Sequence, residues 1–107
     1  MSRTLCAALT LDGKLAEPAL QLLEGESSKT VDAREAGVLL LAGDVRELRL
    51  TVRPRVDGRR DSPTLSGPPT PEFFPRSLAC RLLRMETRGG ECLLHYRVLR
   101  RARTARR

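Results

Sequence analysis

The sequence predicts a mainly β fold, a small antiparallel sandwich or barrel with room for one short helix. Three observations carry this reading. Residues 45–54, VRELRLTVRP, alternate strictly, with Leu48, Leu50 and Val52 on one side and Glu47, Arg49, Thr51 and Arg53 on the other. That is the pattern of a strand with one buried and one wet face. Residues 77–86 and 91–99 flank Gly89-Gly90, a hairpin signal. Turn signals recur at intervals of roughly ten residues, the spacing of small all-β domains.

Taken in order, residues 3–11 (RTLCAALTL) read as a first strand with Leu5, Ala7, Leu9 and Leu11 on one face, followed by the turn dipeptide Asp12-Gly13. Residues 15–24 fit either a helix with Pro18 in its first turn or the return strand of a hairpin, and the Asp-Gly turn favours the strand. Gly25 to Lys29 reads as loop, and Val31 to Ala36 as a short strand or a turn. Gly37 then opens a buried run, Val38 to Leu41, which Gly43-Asp44 closes. Pro54 ends the alternating strand or places it at an edge. In the final hairpin Leu78, Cys80 and Leu82 alternate before Leu83 and Met85 take over the phase, a one-residue slip of the kind a bulge produces. The alternating strand and the hairpin Leu78–Leu99 are expected to supply the core.

Residues 57–75 differ in composition from the rest. Five of the seven prolines fall in this stretch of 19 residues, longer than structureless loops usually run. The organisation read from the sequence is one β domain over residues 1–99, a long mobile loop at 57–75, and a basic tail at 100–107. At 107 residues the chain has length for one core only. The longest apolar run, Val38 to Ala42, is far short of a membrane span, and the N-terminus carries no secretory signal. An intracellular protein, cytoplasmic or nuclear, without membrane insertion, is the expectation.

The charge divides along the chain. The total is +7, yet residues 97–107 hold six arginines and no acid, so the preceding 96 residues net only +1. Residues 12–47 are acidic and residues 48–96 basic. Arginine outnumbers lysine 18 to 2, a bias that a GC-rich coding sequence produces without any functional demand.

Motifs for catalysis are missing from the sequence. His95 is the single histidine, and Cys6, Cys80 and Cys92 form no CxxC pair, which gives no ordinary zinc-ligand set. Cys92 and His95 lie three apart, on opposite faces of a strand. The glycines match neither a dinucleotide nor a P-loop fingerprint. Glu86 and Glu91, beside the hairpin turn, lack the apolar setting that would prepare a carboxyl for acid catalysis. No enzyme activity, cofactor or metal is expected.

Binding remains. Arg49, Arg53, Arg81 and Arg84 stand at alternate strand positions, and arginine is favoured at protein interfaces because its fork pairs with carboxylates. Phe73 and Phe74, two of only three aromatics, sit where the loop rejoins the sheet, either plugging the core or anchoring a partner. The expected function is a non-enzymatic protein–protein interaction module, a subunit, adaptor or scaffold of a larger complex. Other subunits, or self-association through sheet edges, would be its partners. The alternative is a nucleic-acid-associated protein using Arg59, Arg60, Arg100, Arg101, Arg103, Arg106 and Arg107 against phosphates. The scarcity of aromatics for stacking counts against that alternative. Ser62-Pro63 and Thr70-Pro71 are minimal proline-directed phosphorylation dipeptides, which makes Ser62 and Thr70 candidate modification sites.

Overall fold

In the computed structural model, residues 3–65, 67 and 78–99 are described. They form six strands and one helix: β1 (Arg3–Leu9), β2 (Leu20–Glu24), β3 (Ser27–Val31), α1 (Ala33–Ala42), β4 (Glu47–Val52), β5 (Cys80–Arg88) and β6 (Glu91–Val98). The strands make a single sheet in the order β3-β2-β1-β4-β6-β5. Four of its five pairings are antiparallel; β1 and β4 run parallel. The sheet is therefore mixed and open, with β3 and β5 as its edges among the described residues, and not the closed barrel the strand spacing had suggested. Strand alternation separates an apolar from a polar face but says nothing about which strands are neighbours, and closure depends on that order.

The hairpins follow their turn chemistry. Gly13 at φ 84° completes the turn after β1, and β2 returns antiparallel, with Leu5 opposite Leu22. Gly89 and Gly90, both at positive φ, join β5 to β6. The slip in phase is a real irregularity: the β5–β6 register shifts between Leu82 and Arg84.

Two elements differ from the sequence reading. β3 occupies Ser27–Val31, of which Ser27 to Lys29 read as loop; its polar side chains suit a short, wet edge. Residues 33–42, read as strand or turn and then a buried run, are helix α1. Asp32 caps it by accepting the Glu35 amide at 2.8 Å, and Gly43, left-handed at φ 80°, closes it with its N–H on Leu40. Ala33, Ala36, Gly37 and Leu40 fall on one side at helical spacing and are buried.

That side of α1 covers β1, β2 and β4. The core joins Leu5, Ala7, Leu20, Leu22, Val31 and Leu48 with Ala33, Ala36 and Leu40 of the helix, plus Leu15 and Val45. The final hairpin contributes less than its pattern suggested: Tyr96 and Val98 are only partly buried, and every residue of β5 is exposed. Helix on one face of one sheet leaves the other face of the sheet without a helix among the described residues.

Candidate functional site

The uncovered face has its chemistry where β4, β6 and β5 lie side by side. Pairing register decides which side chains meet. Arg49 lies opposite His95, and His95 lies opposite Arg84, so one row across three strands reads Arg49, His95, Arg84. The row beside it reads Glu47, Arg97, Arg81, and the next reads Thr51, Leu93, Glu86. With strands about 4.8 Å apart, these side chains form one continuous patch.

Glu47 organises the centre of the patch. Its Oε1 lies 2.7 Å from His95 Nε2, and its Oε2 lies 3.8 Å from Arg97 Nη2. Both Glu47 and His95 are half-buried, so this contact fixes the imidazole in the middle of the row. Arg49, Arg81 and Arg84 are exposed and form no ion pair or side-chain hydrogen bond with any described residue. A shallow groove of about 310 Å³ runs between Arg49 and Arg84, floored by Leu93 and His95, with Thr51 and Glu86 at its end.

Cys6 adjoins this patch, opposite Arg49 on β1. Burial pushes its thiol above the ordinary range, with the Arg49 charge offsetting part of that. Two strand spacings, about 9.6 Å, separate Cys6 from His95, too far for direct proton transfer. Cys92 pairs with Val52 and alternates onto the helix side, away from His95. Among the described residues no group of three or more His, Cys, Asp or Glu could hold a metal ion.

The residues singled out from sequence thus separate. Arg49, Arg81 and Arg84 come together. Arg53 is engaged within the chain, its Nη2 at 2.8 Å from Glu17 and its Nε at 3.7 Å from Glu91, where it ties the segment before β2 to the start of β6. Arg59 donates from its Nε to Asp57 at 3.1 Å, and the Arg60 carbonyl accepts from Lys14. Phe73, Phe74, Thr70, Arg100, Arg101, Arg103, Arg106 and Arg107 lie outside the described residues.

A second cluster holds the start of the segment after β4. Asp12 accepts the Asp57 and Gly58 amides at 3.0 and 2.9 Å as well as the Thr10 hydroxyl. These bonds, with Thr10 the largest cause, hold its carboxyl well below the usual range. Asp57 in turn accepts from Arg59 and from the Ser62 hydroxyl, which lowers its own carboxyl, Arg59 contributing most. Ser62 is 5% exposed, so a kinase could reach its hydroxyl only after this turn opened. Glu47, His95, Asp12 and Asp57 were not candidates in the sequence; each takes its place from a partner 45 or more positions away in the chain.

No protein-family profile matches the chain, and no curated protein does. Among solved structures, Acinetobacter baumannii RibD is similar in fold, with a TM-score of 0.50 and 19% identity over 63% of this chain. The chain spans only 18% of that protein's length, and at this identity the likeness bears on the fold alone.

Proposed function

We propose that the protein is a non-enzymatic interaction module, a subunit or adaptor, whose open sheet face receives an acidic segment of a partner protein. One observation carries this reading: Arg49 and Arg84 flank His95 in a single row, exposed and without carboxylate partners among the described residues. A guanidinium left in water loses little by meeting a carboxylate and gains a bidentate, charge-assisted bond. The spacing suits an extended acidic chain lying across the strands, with Leu93 beneath it.

Nucleic acid is the second reading. The same arginines would serve phosphates, but Glu47 and Glu86 interrupt the patch, and the row between Arg49 and Arg84 offers a single ring for a base to stack on, the His95 imidazole that Glu47 holds. A fluorescently labelled glutamate-rich peptide, a labelled duplex and a labelled single strand, each titrated at low and moderate salt, separate the two. The peptide is expected to bind, and Arg49→Ala and Arg84→Ala to weaken it about tenfold each, about 1.4 kcal/mol. Peptide binding unchanged by both substitutions overturns the reading; tighter binding of the duplex, with a steep salt dependence, favours nucleic acid.

A further inference from the structure

We propose that β5 pairs antiparallel with β5 of a second copy of this chain, about a two-fold axis at Met85. The two edges that the sheet has among the described residues differ. β3 is short and polar, Ser27–Val31, whereas β5 has nine residues and exposes Leu82, Leu83 and Met85. A long edge with apolar side chains is the one that accepts another strand.

The ladder shows which backbone groups of β5 are free to do so. Leu99 N–H bonds to Ala79 C=O, while Val98 N–H bonds to Arg46 C=O, so odd residues of β6 bond toward β5 and even residues toward β4. Carried along the register, Arg81, Arg84, Glu86 and Arg88 turn their N–H and C=O groups inward to β6. Cys80, Leu82, Met85 and Thr87 turn theirs outward. Met85 facing Met85 of the second copy forms a reciprocal pair from such outward groups.

Charge then selects this register. With Met85 on the axis, Arg84 stands opposite Glu86 of the second copy and Glu86 opposite its Arg84, two ion pairs on one face. Moving the axis to Glu86 also pairs outward groups, Met85 with Thr87, but it sets glutamate against glutamate and Arg84 against Arg88. Moving it to Thr87 also gives two Glu–Arg pairs, Glu86 with Arg88, but leaves only residues 86 to 88 overlapping, against Leu82 to Arg88 for the Met85 register. On the helix side, Met85, 60% exposed, would come edge to edge with Met85 of the second copy. A strand pair of this size is a small interface, so the dimer forms in a concentration-dependent equilibrium.

This pairing shares Arg84 with the acidic-partner reading but not Arg49, which is on β4, two strands from the edge, so Arg49→Ala is expected to weaken the peptide and leave the dimer intact. Sedimentation across a concentration series, with the full chain, tests the dimer. Arg84→Glu or Glu86→Arg alone creates two like-charge contacts and should raise the dissociation constant at least about tenfold. The double variant Arg84→Glu/Glu86→Arg restores the pairs and should return it to near the parent value. Amide exchange gives a second measurement that needs no variant. The amides of Leu82, Met85 and Thr87 are expected to gain protection as concentration rises, and those of β3 to stay unchanged. A monomer throughout the series, single variants as dimeric as the parent, failure of the double variant to recover, or concentration-dependent protection at β3 would each overturn the proposal.

Discussion

Replacing Leu5 with alanine tests where this protein keeps its core. Leu5 is fully buried on β1, with Leu22 directly opposite on one side and Leu48 on the other, beneath α1. Removing three carbons at about 0.8 kcal/mol per methylene forfeits about 2.4 kcal/mol of transfer free energy. Both flanking backbones are held in the ladder, so the gap closes incompletely. A residual cavity of about 30 Å³ adds about 0.7 kcal/mol, for a loss near 3 kcal/mol. For a domain of this size that is a large share of a total stability of about 5–15 kcal/mol. Urea unfolding should show the midpoint falling by about 2 M at an unchanged slope of about 1.5 kcal/mol/M. Leu82→Ala on the exposed strand β5 is the control and should cost under about 1 kcal/mol. Equal losses at the two positions would refute a core confined to the helix-covered half of the sheet.

Other outcomes follow from the same contacts. Asp32→Ala removes the cap of α1 and should cost about 1 kcal/mol in thermal unfolding, while Asp32→Ser should be near neutral. Gly43→Ala meets no atom within 4 Å, so its cost of about 1 kcal/mol would come from holding a side chain at φ 80°, and Gly43→Asn should cost less. The Asp12 carboxyl is lowered in the folded state. Its stabilisation is thus present above the unfolded value of about 3.9 and is lost as pH falls through the folded one. Asp12→Asn should be less stable than the parent at neutral pH and should lose less stability on acidification, as unfolding at a series of pH values would show. Ser62→Asp sets a second negative charge against Asp57 and should loosen the turn, read as faster amide exchange at Gly58 and Arg59.

Much of the local structure was legible because its causes are local. Gly89-Gly90 and Asp12-Gly13 declare their turns through the φ angles they permit, and the break in alternation at Leu82-Leu83 places the β5 irregularity to within a residue. The helix was missed: its signals, Asp32 three residues before Glu35 and Gly43 after the last turn, were outweighed by Gly37 and the apolar run Val38 to Leu41, which read as a buried run after a short strand or turn. Short apolar runs do not separate helix from strand by periodicity, and the caps carry the decision.

The candidate face shows the limit of the same reasoning. Alternation put Arg49 and Arg53 on the wet side of one strand, and Arg81 and Arg84 on another, without telling which would meet. Arg53, two residues along from Arg49, ends against Glu17 and Glu91, while Arg49 lines up with His95 and Arg84. His95 carries no motif that would flag it, and it became central only through Glu47.

The sequence by itself determined β1, β4 and the β5–β6 hairpin, their turns, the apolar and polar sides of β1 and β4, and the concentration of positive charge in the second half of the chain, since all of these depend on neighbours within a few residues. Tertiary structure decided the parallel pairing of β1 with β4, the covering of one half of the sheet by α1, and the row of Arg49, His95 and Arg84. These depend on strand order and register, which are set by which apolar faces pack together across long stretches of chain.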